Sequence, residues 1–130
     1  MISKLFKFFK KNQSSSTELY LPAEEKQDFV LYLKELPVGK LSCKDGVWTF
    51  KYTPAFIARS DEYYPIVGFP DLHREYHSNS LWPFFLIRIP GLGQPAIQET
   101  IERENLDIKN EAQLLRRFGQ KTLANPFVLA

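Results

Sequence analysis

The sequence of 130 residues holds a single cysteine, Cys43, so no internal disulfide forms, which fits a chain of the reducing cytosol. Histidine is nearly as scarce. His73 and His77 stand four apart, a spacing that puts both on one face of a helix, but no third metal ligand follows at a fixed interval. Among the few glycines, Gly91-Leu92-Gly93 is a GxG with no third glycine and no strand–loop–helix frame, which excludes a phosphate-cradling loop. No run approaches the ~20 apolar residues of a membrane span. Neither sign of charge prevails: 17 Lys and Arg against 15 Asp and Glu leave a formal charge of +2. That is too little for the clustered basic face of a nucleic-acid binder. No metal, no cofactor and no direct contact with nucleic acid are expected.

Catalytic constellations are missing as well. Cys43 sits beside a hairpin turn in an alternating strand, where a small buried thiol is the ordinary outcome. Glu24-Glu25 and Asp61-Glu62 lie in polar segments as solvated carboxylates. Arg116-Arg117 closes a helix, where cations are favoured by the dipole. No catalytic residue is assigned, and the chain is expected not to be an enzyme.

What is present is a globular composition, 44% hydrophobic and rich in aromatic residues, long enough to bury one core without staples. The first 27 residues read as a leader. Met1–Lys11 interleaves Lys4, Lys7, Lys10 and Lys11 with Phe6, Phe8 and Phe9, but has neither the apolar region nor the cleavage site of a secretory signal. Asn12–Thr17 is a polar linker. The folded domain is expected over residues 28–130. Phe29, Leu31 and Leu33 alternate with Val30, Tyr32 and Lys34, which predicts a strand. A turn at Lys34–Leu36 leads to a second strand over Val38–Cys43. Asp45-Gly46 between two apolar runs predicts a tight hairpin, and the returning strand Val47–Tyr52 places Trp48, Phe50 and Tyr52 on one face as a core wall.

Beyond Pro54, a helical turn is expected over Ala55–Ala58 and a short edge strand over Tyr63–Gly68, with Phe69–Ser80 irregular. Phe85–Ile89 suits either a buried strand or a short helix. Two helices close the domain. Pro95 opens the first, with Ile97 and Ile101 inward and Glu99 paired to Arg103. Asn110 caps the second, which turns Ala112, Leu115 and Phe118 inward and stops at Gly119. Strands first and helices last give an α+β domain: a small antiparallel sheet built on an N-terminal hairpin, packed with C-terminal helices.

One segment differs in character. Ser78-Asn79-Ser80-Leu81-Trp82-Pro83-Phe84 delivers a tryptophan on a polar lead-in, directly before a proline that holds it extended. Two roles fit Trp82: an anchor displayed for a partner, of the kind that dominates binding hot spots, or a lid folded over the core. These seven residues are the candidate partner-binding site.

The segment Phe29–Ile57 resembles the opening of HipA-type serine/threonine kinase toxins: a short strand, a Val-Gly-x-Leu strand, a Gly turn, and a strand ending in aromatic-x-Tyr-x-Pro. The matching residues are Val38-Gly39-Lys40-Leu41, Asp45-Gly46, Trp48, Phe50, Tyr52 and Pro54. Tyr64-Pro65 to Pro70 is similar to the family's Pro-rich strand, and Ala112–Gly119 to its closing helix. The resemblance runs from about Asp28 to Phe127 and includes none of the kinase motifs.

It implies the fold of HipA N-terminal subdomain 1, free-standing as in the HipS-like antitoxins of HipBST toxin–antitoxin systems. Such a protein binds and neutralises a HipT-type kinase in the cytoplasm, alongside a HipB-type DNA-binding protein. The aromatic stretch Leu81–Pro90 is more similar to the HipS pattern than to the Leu-Pro-Glu-Gly-like stretch of full-length members, which favours Trp82 as a contact residue. The alternative is a membrane-surface or scaffolding protein directed by its Lys/Phe-rich leader.

Overall fold

The computed structural model describes residues 18–130, so the segments Met1–Lys11 and Asn12–Thr17 lie outside the described residues. Strand β1 (Gln27–Leu33) turns through Lys34, whose φ of 55° is left-handed, into β2 (Leu36–Lys44). Asp45 and Gly46 both take positive φ, 53° and 76°, the pair of values a type I′ turn demands, and β3 (Val47–Tyr52) returns. Single helical turns follow at α1 (Pro54–Ile57) and α2 (Pro83–Leu86), flanking a short strand β4 (Tyr76–Ser78). Helices α3 (Pro95–Arg103) and α4 (Glu111–Phe118) lead to β5 (Val128–Leu129). The strands form one antiparallel sheet in the order β4-β3-β2-β1-β5, an α+β fold with the N-terminal hairpin at its centre.

Period-two alternation decides which sheet face is buried. Phe29 and Leu31 on β1, Leu41 and Cys43 on β2, and Trp48, Phe50 and Tyr52 on β3 point into the core and are all but sealed from solvent. Phe56, Phe69, Phe85 and Leu115 pack onto them. The other face carries Lys40 and Lys51 exposed, with Ser42 and Thr49 half-buried between strands. Gly39 lies on the core face, where a Cβ would meet the Phe50 ring at 2.5 Å, so no larger residue fits that register.

Several expectations are corrected. The domain begins before Asp28: Leu21 is buried in the core, and the Tyr20 amide donates to the Lys109 carbonyl at 2.8 Å. Tyr63–Gly68 is irregular, ending in a turn at Val67-Gly68, rather than strand, because Pro65 offers no donor and the Ile66 amide donates to the Tyr52 hydroxyl instead of a ladder. The place beside β3 goes to Tyr76–Ser78, inside a stretch expected to be irregular. His77 therefore lies on a strand, and the helical pairing with His73 does not arise. Of the two options for Phe85–Ile89, neither covers it whole: the helical turn starts at Pro83 and ends in an αR cap at Ile87.

Arg103 lies near Thr100 and Glu104 rather than pairing with Glu99. On α4, Leu114 is buried where Phe118 is only half so. The Asn110 cap is as expected: its side chain accepts from the Ala112 and Gln113 amides. Gly119 ends the helix with an ordinary φ of −93°, and its role is steric, since a Cβ there would lie 2.6 Å from the Leu115 carbonyl oxygen.

Candidate functional site

The seven candidate residues are contiguous in sequence but not equivalent in space. Ser78 ends β4, and its hydroxyl donates to the Ser80 carbonyl at 2.7 Å, folding Asn79 and Ser80 into an exposed bend. Leu81 is buried in the core. Trp82 caps α2 in the extended conformation its following proline requires, φ −66° and ψ 150°, with Pro83 at the first helical position. Its indole is half-buried and stands edge-on to Phe69, ring centres 5.2 Å apart. Phe84, also half-buried, is edge-on to Phe85 and to Phe127. Trp82 is thus neither a free prong nor a complete lid: half-buried, it packs on Phe69 and is left partly in contact with water.

Its side chain lines a groove of about 360 Å³. Three segments enclose it: the Val67–Phe69 turn, the Trp82–Ile87 stretch containing α2, and the loop at Ala124-Asn125. Val67 is 90% exposed and Ile87 59% exposed, so the rim is apolar and in contact with water. Sequence reasoning found the α2 wall through Trp82-Pro83 but missed the other two. Val67 and Ala124 carry no pattern of their own, since they reach the site through loop geometry alone.

Each wall is held by a buried polar side chain. The Tyr52 hydroxyl donates to the Phe69 carbonyl at 2.7 Å and accepts from the Ile66 amide at 2.9 Å, clamping the first wall. Gly68, at φ 98°, makes the turn between those anchor points possible. Burial pushes the Tyr52 phenol up to about 12, so the hydroxyl remains a donor throughout the physiological range.

Glu111 holds the second wall. Its carboxylate is buried at the start of α4 and accepts from the Trp48 indole at 2.9 Å and the Leu81 amide at 3.3 Å. Arg88 holds the third: its guanidinium donates to the carbonyls of Gly119, Gln120 and Phe127 and to Asn125 Oδ1. Burial lowers the pKa of Arg88, which has only neutral oxygens as partners in these bonds. A buried arginine spent on backbone carbonyls fastens a loop; it is not offered to a substrate.

Among the described residues, no group of three His, Cys, Asp or Glu side chains is placed to hold a metal ion. His77 Nδ1 lies 3.1 Å from the Thr49 hydroxyl and Nε2 lies 3.4 Å from Glu75, on the sheet's outer face. Cys43 is sealed in the core, and burial pushes its thiol up to about 11. No helix among the described residues is long and apolar enough to cross a membrane.

Fold and site together define a class: an α+β domain that displays a rigid, tryptophan-walled apolar groove. The family follows from comparison with known proteins. The chain belongs to the HipA N-terminal domain family, whose pattern it matches over residues 30–123. The match takes in β1 from Val30, β2, β3 and β4, both closing helices and all but the Ala124-Asn125 edge of the groove, and stops short of β5. No curated protein matches the chain.

Proposed function

We propose that the chain is a non-catalytic antitoxin subunit that binds and restrains a HipT-type serine/threonine kinase in the cytoplasm, in a ternary complex with a HipB-type DNA-binding protein. The observation that carries this reading is the half-exposed indole of Trp82, fixed on Phe69 at the mouth of an apolar groove within a HipA N-terminal domain. A preformed aromatic surface loses little conformational freedom on docking, which is why rigid tryptophans dominate binding energies. Ser78, Asn79 and Ser80 supply a polar rim, Trp82, Pro83 and Phe84 the apolar contact, and Leu81 the root that holds them in the core.

The non-catalytic part of the reading is supported by how the buried ionisable groups are used. Glu111 accepts at both carboxylate oxygens, Arg88 donates to carbonyls that close a loop, and the Cys43 thiol is protonated and sealed. Each is committed to the fold rather than left free for a reaction.

Titration calorimetry of the chain against a HipT-type kinase tests the reading. Trp82→Ala is expected to weaken binding by about 2 kcal/mol or more and to relieve inhibition of kinase autophosphorylation, with the thermal melt little changed. Undiminished affinity would remove Trp82 from the interface; no binding by the unaltered chain would remove the proposal.

A further inference from the structure

We propose that the groove beside Trp82 takes the chain's own Phe-rich segment, residues 5–9, as a competing occupant that a partner must displace. The docking itself stands on this chain alone; its effect on kinase binding rests on the proposed function. Among the described residues that line the groove none is charged, and Val67 and Ile87 stand largely in water. Such a surface asks for apolar cover. Residues 1–17 hold four lysines and no Asp or Glu, with Leu5, Phe6, Phe8 and Phe9 close together among them. Rings can enter the groove while the lysines between them stay in water.

The place where the described chain begins supports this occupant. The Tyr20 amide donates to the Lys109 carbonyl at 2.8 Å, and the Tyr20 carbonyl accepts from the Glu111 amide at 3.0 Å. The carboxylate of the same Glu111 accepts from the Leu81 amide at 3.3 Å. One residue therefore ties the root of residues 1–17 to the residue before Trp82. Phe9 stands eleven residues ahead of Tyr20, a reach of up to about 36 Å, which is ample for so near a target.

The tether decides the energetics. A groove of about 360 Å³ has room for a ring or two, so the contact is weak between separate molecules. Joined by a short linker, the segment faces the groove at an effective concentration of about a millimolar, enough to populate a weak contact part of the time. A partner then binds only the unoccupied fraction, and its apparent affinity falls accordingly.

A second hollow lies at Leu92, Gly93, Gln98 and Ile108, beside the Lys109 anchor. It offers aliphatic side chains and no ring. The Trp82 groove offers Phe69, Trp82 and Phe84, whose faces and edges suit further phenylalanines.

The test compares NMR spectra of the full, isotopically labelled chain with and without Phe6→Ser, Phe8→Ser and Phe9→Ser. Shift differences are expected at Val67, Gly68, Ile87, Ala124 and the Trp82 indole, unchanged by dilution or added salt. The exposed rim gives the reciprocal variant: Val67→Ser with Ile87→Ser should move the signals of residues 5–9, and adding the three serine changes should do nothing more at the groove. The three-serine chain should also bind a HipT-type kinase about two- to tenfold more tightly. Groove shifts in a chain that binds no kinase would support the docking and bring down only the antitoxin reading. The inference is overturned by spectra that agree at the groove, by differences centred on Leu92 and Ile108 instead, by differences that fade on dilution, which would assign the occupant to a second copy, or by differences that fade with salt, which would assign the segment's hold to its lysines. Unchanged or weaker kinase binding by the three-serine chain would overturn it as well.

Discussion

Tyr52 shows how much a single side chain does in this domain. Its ring lies in the core, stacked on Phe56 at 5.3 Å, while its hydroxyl clamps the groove wall at Ile66 and Phe69. Cys43 is sealed in the core. Both groups hold their protons more tightly when folded: Tyr52 rises from 10.0 to about 12 and Cys43 from 9.0 to about 11. An acid with a raised folded pKa stabilises the fold fully below its unfolded pKa, and that stability is lost as pH rises through the folded value. Stability should therefore begin to fall above pH 9.0 as the thiol is titrated, and fall further between 10.0 and about 12. Denaturant midpoints measured across that range check this. Cys43→Ala should remove the first limb of the decline and leave the second.

At the scale of elements, the central hairpin was legible because its code is local. Alternation marks the strands, and Asp45-Gly46 satisfies positive φ at two successive positions. Strand β3 matches its expected bounds, and the Asn110 cap is where the side chain's chemistry placed it. Strands β4 and β5 were not legible, because three and two residues carry no periodicity and each is defined by its partner: Tyr76 by Phe50, Leu129 by Leu31. Tyr63–Gly68 misled for the converse reason, its apolar sequence being tied to a side chain rather than a ladder.

Helix α4 shows what such non-local ties do. Glu111 sits in its first turn yet serves β3 and the lead-in to Trp82. Glu111→Ala would leave the Trp48 indole and the Leu81 amide buried without an acceptor, at about 1–3 kcal/mol for each orphaned donor. Glu111→Gln, keeping one acceptor oxygen, should lose roughly half as much. Urea midpoints should rank the unaltered chain above the Gln variant and that above the Ala variant. Kinase affinity should fall in the same order, although Glu111 is remote from the rim.

Seen whole, the molecule is a sheet with one face given to a core and the other open, and the candidate site is built on the far side of that core. This explains why only part of the site was readable. Trp82-Pro83 announces itself, whereas the groove exists only because Tyr52, Glu111 and Arg88 bring three distant segments to one mouth. Arg88 in an apolar run gave a signal that went unused. A charge placed among Phe84, Phe85, Leu86, Ile87 and Ile89 is either a surface residue or a fastener, and its burial with four oxygen partners decides for the fastener.

The two tryptophans differ in a way that gives the protein its own optical gauges. Trp48 is wholly enclosed and hydrogen-bonded, and Trp82 is half-buried at the mouth of the groove. Emission from Trp48 should stay blue and escape iodide until the chain unfolds, so it reports the integrity of the domain. Emission from Trp82 should be redder and quenchable, and should shift to the blue when a partner closes over it. In Trp82→Phe the quenchable part should vanish while the unfolding transition is still visible. One unlabelled sample would then distinguish a subunit that has lost its partner from one that has lost its shape.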